Sequence, residues 1–376
     1  MTPAQKSNSA AKPVGQLLII GFDGADVTPA LSALLARIQP AGVILFTRNI
    51  VNAQQTHELL KGCQAQVHEP LFTCVDLEGG RVDRFRNVTG PAPSAAEVFA
   101  TGDRKLFRKH GQLIGKICAA LGFNLDLAPV LDLAFEASRK VMSSRAFSTD
   151  PEAVALYARE FLAGLKSAGV IGAGKHFPGL GEGNLDSHHD LPVIKKPFAR
   201  LWKEDLAPYR LMKRELPMVL VNHANYPVIT RDPLPASLSK YWITEILRRK
   251  IGYRGLAVSD DLEMGGVLAA APIDKAAMRF IAAGGDLCLI CHQQALIEQA
   301  YETMLRQAER DTGFRRRVLE SARRIAAFKK KSKQLKRRSP APSPEKISRL
   351  STELWEFSEQ VRLQGLSRAA VSGARR

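Results

Sequence analysis

The residues whose types and spacing suit chemistry fall in three short clusters. In Asp76-Leu77-Glu78-Gly79-Gly80-Arg81-Val82-Asp83-Arg84, paired glycines let the backbone turn closely while carboxylates and a guanidinium share one space, a combination that can grip the hydroxyls of a sugar. Lys175-His176-Phe177-Pro178-Gly179-Leu180-Gly181 sets a basic pair before a Gly-rich loop, and Asp186-Ser187-His188 beyond it places an Asp two residues before a His. Ser259-Asp260-Asp261-Leu262-Glu263-Met264 closes an apolar run with carboxylates, one of which can act as a nucleophile.

The elements that must position these groups can be read from hydropathy. Eight short apolar runs, 17–22, 42–46, 71–75, 123–128, 170–174, 218–221, 256–259 and 286–290, alternate with segments of helical periodicity at 52–66, 103–121, 151–168, 198–215, 240–251, 274–283 and 295–310. The count and the strict alternation predict a single (β/α)8 barrel, an α/β TIM barrel, over residues 15–312. A doubly wound sheet is disfavoured because Gly21-Phe22-Asp23-Gly24 does not form the Gly-x-Gly-x-x-Gly turn. Barrels carry function where strands end, so the polar residues there become candidates: Asp23, Arg48, Asn49, Asp76, Glu78, Arg84, Asp126, Asp132, Lys175, His176, Asn222, His223, Asp260, Asp261 and His292. Any one of them could be a cap; a polar residue at nearly every strand end is harder to explain that way.

The clusters, taken in order, resemble glycoside hydrolase family 3, and within it the bacterial β-N-acetylglucosaminidases of peptidoglycan recycling. The pieces are Asp76-x-Glu78-Gly79-Gly80-x-Val82-x-Arg84, Ala128-Pro129-Val130-x-Asp132, Arg145-x-Phe147, Lys175-His176-Phe177-Pro178-Gly179-x-Gly181 with Asp186-Ser187-His188, and Ser259-Asp260-Asp261-Leu262. The resemblance implies retaining hydrolysis of terminal non-reducing N-acetylglucosamine from peptidoglycan fragments. In it Asp260 is the nucleophile, His188 the acid/base and Asp186 its partner, while Asp76, Arg84, Arg145, Lys175 and His176 hold the sugar. An imidazole with an ordinary pKa near 6.5 can serve as both acid and base around neutral pH. Its place on a Gly-flanked loop implies that it moves in with substrate. Leu180, Ala146 and Asn222-His223-Ala224-Asn225 depart from the family pattern and bear on the rim of the site more than on the reaction. The alternatives are a family 3 β-glucosidase or β-xylosidase, which takes its acid/base from a second domain, and a non-catalytic barrel that binds cell-wall polymer.

Other signals are weaker. His189 and Asp190 beside His176 and His188 do not complete a metal spacing, so no metal or cofactor is expected. Cys288-Leu289-Ile290-Cys291-His292 matches a c-type haem pattern but lies on an expected strand, where small apolar core residues explain it. Asp186-Ser187-His188 is not a hydrolase triad, since three consecutive residues do not form one and no Gly-x-Ser-x-Gly is present.

The 376 residues carry a net charge of +17. Residues 311–340 supply +10 of it, from twelve Lys/Arg against two acids, and residues 341–376 add +2, leaving the first 310 mildly basic. A basic C-terminal extension, 313–376, is therefore expected, broken at Ser339-Pro340-Ala341-Pro342 and ending in a helix near 345–363 that folds back on the barrel. With no zinc motif or aromatic interleaving in it, nucleic-acid or anionic-polymer contact is disfavoured against a solvated helix. Five cysteines make a poor disulfide framework, and no apolar run reaches a membrane span. A flexible leader (1–14), a cytoplasmic location and a monomer acting on a small carbohydrate or muropeptide are expected.

Overall fold

The computed structural model describes residues 11–183, 191–336 and 340–373. Eight parallel strands form one closed barrel: β1 Leu18–Ile20, β2 Gly42–Ile44, β3 Phe72–Val75, β4 Leu125–Asp126, β5 Ile171–Phe177, β6 Met218–Val221, β7 Leu256–Asp261 and β8 Leu287–Ile290. Each pairs with its neighbour in sequence, and β8 closes on β1 with Leu18 opposite Cys288. The barrel strands are apolar almost throughout because helices cover their outer face and side chains fill the interior.

The helices that cover the barrel follow the expected positions from residue 52 on, and one more, over 29–38, precedes them. They are α1 Pro29–Ile38, α2 Ala53–Ala65, α3 Arg104–Leu121, α4 Pro151–Ala168, α5 Phe198–Lys203, α6 Ala207–Leu211, the π-helical α7 Tyr241–Lys250, α8 Ile273–Ala283 and α9 Gln294–Arg310. Side chains of Thr28, Asn52, Asp103 and Asp150 accept from the first free backbone N–H groups of α1 to α4. Helix α4 starts on Pro151 and stops at Gly169, whose φ of 87° turns the chain directly into β5. The single helix expected over 198–215 is instead two short ones, because Pro208 lacks the N–H that a continuous helix needs there and sits in the first turn of α6.

Strand lengths differ from expectation around the site. β5 runs on to Phe177 and β7 to Asp261, so Lys175, His176 and Asp260 stand on strand ends, while β4 is reduced to two residues. A small antiparallel hairpin, Leu77–Gly79 with Val82–Asp83, rises from β3.

Two helices follow the barrel. α10, Thr312–Lys331, crosses the end where the strands begin: Arg324 Nε donates to Asp286 Oδ1 (2.7 Å), and Ser321 Oγ donates to Gly285 O (2.9 Å). Lys329 Nζ donates to Gln16 Oε1 (3.0 Å) and Ala41 O (2.9 Å). Asp286, fully buried, also accepts from Arg248 of α7 and from Ala257 N. Four cations that follow residue 312, Arg315, Arg317, Arg324 and Lys329, are thus bonded to the body. α11, Pro344–Gly373, lies back on α3, burying Leu350, Leu354, Phe357 and Val361 at helical spacing, and Phe357 stacks on His110 at 5.9 Å. At the other end, residues 11–15 are helical and Val14 is fully buried, so ordered structure begins inside the expected leader. No helix among the described residues is long and apolar enough to cross a membrane.

Candidate active site

At the mouth where the strands end, side chains from the segments that follow β3 and β4 and from the end of β5 form one continuous network. Lys175 Nζ donates to Asp76 Oδ1 and Glu78 Oε1, both at 2.7 Å. Arg145 grips Glu78 through two bonds, Nε to Oε2 (2.7 Å) and an Nη2 bond to Oε1 (2.8 Å), and the same nitrogen lies 3.2 Å from His176 Nε2. His176 Nδ1 is 2.6 Å from Asp132 Oδ2. Its partners assign the tautomer: Nδ1–H donates to Asp132, and Nε2 accepts from Arg145. Asp132 Oδ1 accepts from Leu180 N (2.7 Å), which fixes the start of the Gly-rich loop.

Electrostatics follow from this packing. Burial alone raises a carboxyl's pKa, yet Lys175 and Arg84 beside Asp76 hold it below the usual carboxylate range. Glu78 is likewise buried, and Arg145 and Lys175 outweigh that and push it far down. Lys175 pays the opposite desolvation cost but is raised by Asp76 and Glu78. Asp126, fully buried, accepts from Leu77 N through Oδ1 (2.9 Å), and burial lifts its carboxyl well above the ordinary value. The network therefore holds two carboxylates and two cations in fixed positions, a lattice of directional donors and acceptors suited to hydroxyl and amide groups.

Asp260 stands outside this network on β7, half-buried, with Oδ1 accepting from Asp261 N (3.0 Å). Behind it, His223 is fully buried, with Nε2 2.9 Å from Asp261 O and Nδ1 2.7 Å from Ser237 Oγ. Burial lowers its pKa although Asp260 and Asp261 pull the other way. Arg84 lies over the Phe46 ring at 5.6 Å, and the other face of the rim is built by Arg48 over Phe46 (4.8 Å) and by His292, stacked at 5.3 Å on Phe46 and 3.2 Å from Asp261 Oδ2.

Of the expected site residues, Asp76, Arg145, Lys175 and His176 join in the network, and Arg84 and Asp260 face the same mouth. Asp186 and His188 lie outside the described residues, as do His189 and Asp190. Asp23, Arg48, Asn49 and Asn222 hold the rim: Asn49 Nδ2 donates to Phe22 O and Gly24 O, and Asn222 Nδ2 donates to His176 O. The bidentate role of Glu78 and the His176 partner Asp132 were visible only as strand-end candidates. The buried Lys196 was not found at all, since Lys195-Lys196 reads as an ordinary loop pair. Cys288 and Cys291 are free and buried, with burial raising both thiols.

A (β/α)8 barrel whose mouth carries such a lattice beside the Asp260 carboxylate has the groups that a carbohydrate-active enzyme uses. The chain belongs to glycosyl hydrolase family 3: the model of that family's N-terminal domain matches residues 11–328. It is 38% identical over 287 residues, 74% of this chain and 82% of the relative, to the beta-hexosaminidase of Alkalilimnicola ehrlichii, and 37% identical over 295 residues, 76% and 83%, to that of Bordetella avium. Among solved structures it is similar to a family 3 beta-N-acetylglucosaminidase from a Paenibacillus species, with a TM-score of 0.85 and 30% identity over 93% of this chain and 68% of that one. The beta-N-acetylhexosaminidase of Beutenbergia cavernae superposes with a TM-score of 0.78 at 26% identity, covering 85% and 98%.

Proposed function

We propose that the protein is a retaining exo-β-N-acetylglucosaminidase that removes terminal non-reducing N-acetylglucosamine from peptidoglycan fragments. The observation that carries this reading is the Asp76–Lys175–Glu78–Arg145–His176 network at the barrel mouth, next to the Asp260 carboxylate, which has no cationic partner among the described residues. The relatives named beta-hexosaminidase and the beta-N-acetylglucosaminidase structure support the sugar.

In this reading the fixed ions and Arg84 bind ring hydroxyls and the acetamido group. Asp260 attacks the anomeric carbon as the bond to the leaving oxygen breaks, and His188, oriented by Asp186, gives that oxygen a proton. The imidazole then takes a proton from water as the water attacks the glycosyl–Asp260 ester, which restores both groups. Five free cysteines, all buried, suit a reducing cytoplasm.

Chromogenic β-N-acetylglucosaminide and β-glucoside, assayed side by side, test the proposal. Wild type should cleave the first, and Asp260→Ala should lose activity by about 10⁴-fold or more. Cleavage of neither substrate, preference for the glucoside, or full activity in Asp260→Ala defeats it.

A further inference from the structure

A second charged centre, outside the sugar-binding lattice, lies next to the Gly-rich loop. The Lys196 side chain is fully buried. Its Nζ donates to Asp205 Oδ2 (2.5 Å) and Glu204 Oε2 (2.9 Å), stands 3.4 Å from Glu182 Oε1, and lies 4.2 Å above the Phe135 ring. Burying an ammonium is costly unless it is fully paired, and such a centre is often replaceable by apolar side chains without loss of stability. Stability alone is thus a poor reason for it to be here.

Its position suggests another. Glu182 lies two residues before segment 184–190 and Lys196 six residues after it, so the buried ammonium, together with the exposed Arg200 at 3.0 Å from the same Glu182 oxygen, ties the two flanks together. Asp205 presses against the turn that leads into the segment. Gly179 has φ 128°, and a Cβ there would come within 2.5 Å of the Asp205 Cβ; one at Gly181 would come within 2.9 Å of Asp205 Oδ1. The turn thus fits around this carboxylate because positions 179 and 181 carry no side chain. Between the two glycines, Leu180 N is held by Asp132, the carboxylate that also orients His176. On the returning flank, Asn225 N donates to Pro192 O and Ile194 N donates to Asn225 O, both at 2.8 Å, which sets the chain's register against the loop after β6.

We infer that the buried Lys196–Asp205 pair anchors both flanks of segment 184–190 and thereby acts as a positioning centre for the general acid. The inference rests on the reading of His188 as that acid. Displacing a catalytic group by about 1 Å costs on the order of 10²-fold. The loss falls on substrates whose leaving group needs a proton.

The test compares an alkyl with a dinitrophenyl β-N-acetylglucosaminide, the second leaving readily without protonation, on wild type, Lys196→Met, Lys196→Arg, Asp205→Asn and His188→Ala. Lys196→Met and Asp205→Asn should lower kcat/KM for the alkyl glycoside about 10²-fold and for the dinitrophenyl glycoside by less than about threefold, with Lys196→Arg recovering most of the loss. Should Lys196→Met fail to fold, the near-isosteric Asp205→Asn decides. Equal loss on both substrates, or no loss, while His188→Ala remains selective for the alkyl glycoside, overturns the anchor and leaves the acid assignment standing. If His188→Ala itself shows no selectivity, the acid assignment fails and the anchor's role falls with it.

Discussion

Lys329 gives the sharpest quantitative prediction about this chain. Its ammonium sits under the barrel, where its acceptors among the described residues are neutral, Gln16 Oε1 and Ala41 O, and the Phe72 ring is 5.1 Å away. Burial outweighs the more distant Glu69 and brings the amine from an ordinary 10.5 down to about 7. The unfolded chain holds this proton up to about pH 10.5, whereas the folded protein releases it near 7. Between those values the unfolded state binds more protons, so stability rises with pH; below about 7 both states are charged and the full cost of the buried cation is felt. At about 1.36 kcal/mol per pH unit, the gain from pH 7.5 to 9.5 comes to about 2.5 kcal/mol. Lys329→Met keeps the apolar stem and removes the proton. In urea unfolding at those two pH values, the gap between wild type and variant should change by about 2.5 kcal/mol in favour of wild type at the higher pH, all other titrations being common to both. A gap that stays constant to within about 0.5 kcal/mol would refute the argument that an unpaired ammonium is buried there.

Other perturbations address the mouth and the C-terminal helix. Glu78→Gln removes the carboxylate shared by Arg145 and Lys175, and should cost about 3–5 kcal/mol in urea unfolding and raise KM for the chromogenic glycoside. Because Asp76 and Glu78 are both held below their ordinary values, the stability they contribute is complete above about pH 5 and is lost as pH falls through their folded values. Unfolding free energy should therefore fall less steeply between about pH 4 and 2 in Lys175→Met than in wild type, as circular dichroism against urea would show. Phe357→Ala, which opens a cavity against His110 and α3, should cost about 3–5 kcal/mol by the same urea assay, with glycosidase kcat unchanged.

Much of this architecture is legible in the sequence because barrel strands buried on both faces read as apolar runs and helices α2, α3 and α4 begin after an Asn or Asp cap. The site is legible where one short stretch holds both partners in view, as in 76–84. It is less so where pairing crosses the barrel. Lys175 and His176 look like residues that end a strand, and only Asp76, Glu78 and Asp132, brought in from the segments after β3 and β4, let β5 carry them as strand residues. Likewise the run Lys329-Lys330-Lys331 reads as solvated, yet one of the three points under the barrel while the other two remain exposed. Lys196 is hidden for the same reason, since its carboxylates come from both sides of a loop and from the start of the next helical segment. Burial of a charge is set by tertiary partners, and local pattern carries no trace of them.

The lattice at the mouth has a consequence for how substrate arrives. Lys175 and Arg145 face Asp76 and Glu78 at contact distance, so these four charges cancel in pairs and project little field beyond a Debye length of about 8 Å at physiological salt. A chain of net charge +17 therefore meets a neutral sugar without electrostatic steering from these groups, and encounter is left to diffusion and shape. kcat/KM for an uncharged glycoside should vary by less than about twofold across a tenfold range of salt, even though the far side of the molecule remains strongly cationic.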